Sequence, residues 1–273
     1  PSSIIYSKNK LQVNSFSVSH DNQMLAINGT ATKSENDSLL VTLNDIDVSY
    51  VLNLVNFHSV DFLGMASGEA RIAGAFSEKP LLSADVIVKD FKFETGRMGT
   101  LYANVGYNHE EGNIEINAVA KDEDNRWTDI NGYVSPKHNY IDLAINANRT
   151  RAEFMESFCG SFMDNVNADI NGNVNVVGPL NNINLVGKAV VDGSVRLSAL
   201  NTTYWMRGDS VTFVPDEIKF KGDTLYDRNG NIGIMTGSIY HKHLTNLSYA
   251  LKVKAKNLLA YDTHSFGDNT FYG

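Results

Sequence analysis

Asp122-Glu123-Asp124-Asn125 sets four oxygen-bearing side chains in a row, and clustered carboxylates are what a hard cation such as calcium selects. The run lacks ligands at alternate positions around a central glycine, so a solvated hairpin turn accounts for it better. His241 and His243 stand two apart, so on a strand both imidazoles face one side and could share a metal. No cysteine or third histidine lies near them in sequence, and no metal is expected. His109-Glu110-Glu111 is the nearest approach to an acid/base cluster, and it runs straight into the turn residue Gly112. There is no Gly-x-Ser-x-Gly elbow, no HExxH pair and no glycine-rich phosphate loop. The expectation is a protein that is not an enzyme, with no catalytic residue and no cofactor.

The bulk chemistry narrows the class further. Hydrophobic residues make up 42% and charged residues 20%, a balance that folds instead of staying disordered. A net charge of -8 with a pI near 5.3 argues against nucleic acid, which needs a clustered Lys/Arg face. The most basic stretch, Lys252 to Lys256, alternates lysine with Val253 and Ala255, as a strand with one wet face does. Cys159 is the single cysteine, so no intrachain disulfide or zinc cluster can form, and its apolar surroundings from Phe154 to Met163 predict a buried thiol. No run approaches the roughly 18 apolar residues of a spanning helix. The chain opens on Pro1 and stops on Phe271-Tyr272-Gly273, which leads to the expectation of an interior piece of something longer.

The elements that carry these residues alternate with a period of two. Ala168, Ile170, Gly172, Val174 and Val176 interleave with Asp169, Asn171, Asn173 and Asn175. Ile114-Glu115-Ile116, Leu143-Ala144-Ile145 and Tyr249 to Val253 read the same way. Antiparallel sheets dry on one side produce this pattern. Asn28-Gly29, Gly112-Asn113, Asn131-Gly132, Asp192-Gly193 and Asn229-Gly230 are expected to supply hairpin turns. Two stretches break the alternation. Ala152, Phe154, Met155, Phe158, Cys159, Phe162 and Met163 are spaced by three to four, and Val48 to Val55 more weakly so, which predicts two short helices.

A longer repeat overlies the alternation. Gly68 to Gly74 matches Gly172 to Gly178, 104 residues on, and Ile27-Asn28-Gly29 returns as Ile130-Asn131-Gly132 and more loosely as Met235-Thr236-Gly237. The period divides the chain into residues 1–63, a partial repeat; 64–167, a full one; and 168–273, a full one ending where the next would start. A period near one hundred is too long for propeller blades or β-helix coils. It suits a meander of about eight to ten strands per copy, stacked into one elongated domain.

The most specific wording is Leu225-Tyr226-Asp227-Arg228-Asn229-Gly230-Asn231, followed by Gly237-Ser238-Ile239-Tyr240-His241. Leu200 to Tyr204 leading to Phe213, the pair Ile218 and Phe220, and Asp268 to Gly273 accompany it. Together these resemble the TamB family of AsmA-like bacterial envelope proteins. The resemblance implies an all-β, elongated, curved, mainly antiparallel sheet folded like a taco around an apolar groove. It also implies a periplasmic protein, anchored to the inner membrane through a segment outside this chain. Proteins of this kind are implicated in phospholipid transport to the outer membrane and, with an outer-membrane barrel protein of the translocation and assembly module, in assembling surface proteins.

A lipid leaving a bilayer exposes methylenes at about 0.8 kcal/mol each, so two sixteen-carbon chains face roughly 25 kcal/mol. A dry trough lowers that barrier. Alternation alone favours a two-sheet sandwich, in which a second sheet covers the dry face; the resemblance reverses that preference toward the trough. The residues expected to line it are Val86, Val88, Ile114, Ile116, Leu143, Ile145, Val174, Val176, Leu251 and Val253. A rival reading is a surface adhesion or carbohydrate-binding module, which displays aromatics on its wet face; Trp127, Trp205, Tyr102 and Tyr204 are the candidates.

Overall fold

The computed structural model describes residues 2–50, 60–123, 125–243, 245–262 and, through their backbone, 270–272. The chain runs β1 (Ser3–Ser7), β2 (Lys10–His20), β3 (Gln23–Ala31), β4 (Ser38–Asp47), β5 (Phe62–Ala73), β6 (Leu81–Phe93) and β7 (Gly96–Asn108). It continues through β8 (Asn113–Asp122), β9 (Arg126–Ser135), β10 (Tyr140–Arg151), a short α1 (Met155–Cys159), β11 (Met163–Pro179) and β12 (Asn184–Leu197). β13 (Thr202–Val214), β14 (Glu217–Tyr226), β15 (Ile232–Lys242) and β16 (Thr245–Ala255) complete the main sheet, and β17 (Leu259–Asp262) pairs with β18 (Thr270–Tyr272) in a separate hairpin.

Among the described residues the sixteen strands of the main sheet lie in sequence order, each antiparallel to its neighbours with no crossover, and the sheet does not close. The fold is therefore all-β, as the alternation implies. Six strands separate Gly68 on β5 from Gly172 on β11, fewer than the eight to ten expected between corresponding points. The reason is strand length: β5 to β13 run from 10 to 17 residues, well above the usual 5–6. The connections after β4, β10 and β16 fall at one end of the strands, six strands apart, and the first two are the long ones.

Three of the expected turns lie inside strands instead. Asn28-Gly29, Asn131-Gly132 and Asp192-Gly193 belong to β3, β9 and β12, while Gly112-Asn113 and Asn229-Gly230 do turn the chain. Positive φ is used there to bend a strand, not to reverse it. Gly132 has φ +144°, and a Cβ on it would stand 2.0 Å from the Asp142 carbonyl oxygen; Gly172, at +154°, would meet Lys188 O at 2.4 Å. Lacking a side chain on the face toward which the strand folds, each lets neighbouring backbones close on that face.

The helices are shorter than their apolar spacing predicts. α1 covers only Met155–Cys159, and Met163 already belongs to β11. Of the expected 48–55 helix, residues 48–50 are helical and 51–55 lie outside the described residues.

The sheet coils strongly. Phe158 of α1 packs on Phe93 of β6, with ring centroids 6.2 Å apart, while Phe162 packs on Tyr249 of β16 at 5.2 Å. In a flat sheet, strands ten places apart stand about 48 Å from each other, yet four residues reach at most about 14 Å. Only a coiled sheet brings both within reach of one segment. Val60, just before β5, likewise packs with Ile141 of β10 and Ile183. The accessible surface is 15052 Å², against about 11,700 Å² for a compact monomer of 30.1 kDa. Among the described residues the buried apolar side chains form five groups, some joined only through partly buried residues such as Phe62, Phe93, Met163 and Val191.

Candidate functional site: an apolar face running across the sheet

Directly paired residues of antiparallel strands point to the same side, so the register can be followed from strand to strand. One such row runs Val18, Leu25, Leu43, Gly68, Val86, Ala103, Ala118, Ile130 and Ile145. It continues through Val174, Gly187, Phe213, Ile218 and Ile239 to Tyr249. From β2 to β15 every member is apolar or glycine, and the row ends on Tyr249 of β16. A parallel row two residues away runs Phe16, Ile27, Val41, Ala70, Ala84, Val105, Ile116, Gly132, Leu143, Val176 and Leu185. Gly68, Gly132, Gly172, Gly187 and Gly237 all belong to this dry face. The interleaved row on the other side reads Thr42, Glu69, Asp85, Asn104, Asn117, Asn131, Ala144 and Asn175. That is the wet face.

The register puts all ten expected lining residues on the dry face. Val88 is buried, packed with Ala66, Phe91, Met98 and Ala120. Val86, Ile114, Ile116, Leu143, Ile145, Val174, Val176 and Leu251 are half-buried, and Val253, near the β16 edge, is 44% exposed. Sequence reasoning missed the segments that lie over this face. Phe154 and Phe158 reach Phe93, with Thr95 Oγ1 and Ser157 Oγ 3.0 Å apart beside them. Met155 and Phe162 pack on the cluster of Tyr204, Met206, Ile218 and Ile239. Ala75 and Phe76 sit on Val13, Ala31 and Leu39.

No known family model, curated protein or solved structure matches this chain.

The polar candidates take structural places. Asp122 is not a solvated turn residue: its carboxylate is 3% exposed and ion-paired with Arg97 at 2.9 Å and Arg151 at 2.8 Å. Burial alone would raise its pKa, but the Arg151 hydrogen bond, the Glu123 N–H and both guanidinium charges outweigh it and hold the carboxyl below its ordinary value. Asp124 lies outside the described residues. His241 and His243 do converge, each Nδ1 3.7 Å from Asp216 Oδ1. Among the described residues no group of three or more His, Cys, Asp or Glu side chains is placed to hold a metal. Glu110 is exposed and pairs with Lys79 at 3.1 Å. Cys159 is fully buried, and burial pushes its thiol up to about 12. Of the four aromatic candidates, Tyr204 belongs to the dry face: it is 3% exposed and its hydroxyl donates to Leu259 O at 2.7 Å. Tyr102 is exposed, and Trp127 and Trp205 are half-buried.

Proposed function

We propose that the chain is an interior segment of a TamB-type, periplasm-spanning protein, and that its dry face is a groove for phospholipid on the way to the outer membrane. The same face could shield unfolded strands during assembly of outer-membrane proteins with a barrel partner. The observation that carries the reading is the unbroken apolar row from β2 to β15, perpendicular to the strands. A trough along that line offers an acyl chain continuous contact over many strands, so no methylene re-enters water midway. The inward glycines and the excess of exposed surface favour an incompletely filled face over a sealed sandwich. Among the described residues no helix is long and apolar enough to cross a membrane, and the proposed inner-membrane anchor belongs to a segment outside this chain.

Native mass spectrometry of the protein purified from a Gram-negative host tests this. Bound phospholipid is the expected result, with occupancy falling severalfold in Val176→Glu, which sets a charge on the dry face. A lipid-free protein, or unchanged lipid content in a folded Val176→Glu variant, would overturn the reading.

A further inference from the structure

On the wet face of β6 to β9 the alternation that keeps polar groups outward is interrupted. Ile87, Tyr102 and Val119 are directly paired and form an apolar bar across three strands, with Ile87 43% and Tyr102 45% exposed. Two residues along the strands, Asp85, Asn104, Asn117 and Asn131 form a parallel polar bar. Trp127 of β9 pairs with Lys121 and belongs to the same wet face, on the far side of the apolar bar. A shallow hollow of about 400 Å³ lies over Ser67, Asp85, Ile87, Tyr102, Asn104 and Asn117.

We propose that this surface binds a neutral oligosaccharide, stacked on Tyr102 and Trp127 and hydrogen-bonded by Asn104, Asn117 and Asn131. A sugar ring has an apolar C–H face and a rim of hydroxyls, and it needs an aromatic platform beside groups that both donate and accept. Asparagine amides do both. Among the described residues, the Asn117 and Asn131 side-chain amides have no hydrogen-bond partner in the protein, whereas Asn104 Nδ2 donates to Asp85 Oδ1 at 2.8 Å and is oriented by it. The Lys121 ammonium lies over the Tyr102 ring, 5.9 Å from its centre, and a sugar ring stacking on that face takes its place. Glu69, paired with Asp85, and Asp129, paired with Val119, put further carboxylates on the same face and disfavour an acidic ligand. Tyr102 and Trp127 stand two strands and two residues apart, about 12 Å by sheet geometry. That span suits a chain of sugar rings better than a single one. The surface faces away from the apolar row, so it is independent of the lipid reading.

Titration of the protein with chitotetraose, cellotetraose and maltotetraose, followed by NMR, tests the site. At least one is expected to bind with a dissociation constant in the millimolar range or tighter. Tyr102→Ala, a change at an exposed side chain, should weaken that binding about tenfold, the loss of roughly one aromatic contact. Tyr240→Ala, at an exposed wet-face tyrosine on β15, should leave it unchanged. Failure of all three sugars to bind overturns the proposal, as does binding that Tyr102→Ala leaves intact or that Tyr240→Ala weakens equally.

Discussion

The Asp227 carboxylate accepts a 2.8 Å hydrogen bond from the backbone N–H of Leu259, thirty-two residues further along the chain. It also accepts from the N–H groups of Asn229 and Asn231, at 2.8 and 2.9 Å, and from the Asn231 side chain at 2.9 Å. Arg228 reinforces the junction with an ion pair to Asp262 at 2.7 Å, and Tyr204 donates to Leu259 O. The loop from Asp227 to Asn231 is thus a clasp, fixing β17 against the main sheet.

Asp227→Ala should cost about 3 kcal/mol, since it strips a buried charge-assisted cluster and leaves N–H groups unpaired. Hydrogen exchange should quicken selectively at residues 258–262. Burial tends to raise the Asp227 pKa, but the hydrogen bonds from Asn231, Leu259 and Asn229 outweigh it and lower the value below the ordinary 3.8. The stabilisation is therefore complete above the ordinary carboxylate range and is lost as pH falls through the depressed value. Denaturant melts of the wild type and Asp227→Ala should converge only in strong acid.

Cys159 should behave as an inert thiol. Reactivity follows the thiolate, and a thiol pushed up to about 12 supplies almost none near neutral pH. Ellman titration at pH 8 should show no free thiol in the folded protein and one in denaturant. Prompt reaction without denaturant would mean that α1 opens readily from the dry face.

What was legible beforehand was the period of two, because the side chain's direction alternates residue by residue along Ile114–Ile116 or Val174–Val176 whatever the strand pairs with. The register was not. That Val86 continues through Ala103 and Ala118 to Ile145 depends on partners and bulges, which one strand's sequence does not encode. Gly29, Gly132 and Gly193 stand out in the sequence but read as signs of reversal, since an Asn-Gly or Asp-Gly pair and positive φ are shared by hairpins and by strands bent over an approaching carbonyl. Asp227 was noted for its wording, while its partner Leu259 lies too far along the chain to be read from spacing. The fall of Phe158 onto Phe93 depends on the coiling itself.

His241 makes the protein acid-sensitive within an ordinary laboratory range. Burial lowers its pKa below 6.5, Asp216 opposes that, and His243 adds to it. The folded protein therefore holds the ring neutral at pH values where the unfolded chain takes up a proton. Stability is complete above about 6.5 and declines as pH falls toward the depressed folded value. Urea midpoints measured from pH 7.5 to 5 should fall, and His241→Asn should flatten the curve. An unchanged slope in that variant would assign the acid loss to other groups.

Curvature can be separated from stability at two glycines. Gly132 faces the dry side at φ +144°, with the site of a Cβ 2.0 Å from Asp142 O and 3.0 Å from the Leu143 Cα. Gly132→Ala must therefore push β10 away, at a cost of about 3 kcal/mol from overlap and backbone strain. Gly106, on the wet face, has nothing nearer than Leu82 O at 4.0 Å, and its φ is not in the left-handed range. Gly106→Ala should change stability by no more than about 0.5 kcal/mol. If inward glycines set the coil, small-angle scattering should show Gly132→Ala more extended than the wild type while it remains folded, and Gly106→Ala superimposable on it. Equal profiles for all three proteins would mean that twist and the packing of Phe158 and Phe162, and not the missing side chains, hold the sheet in its curve.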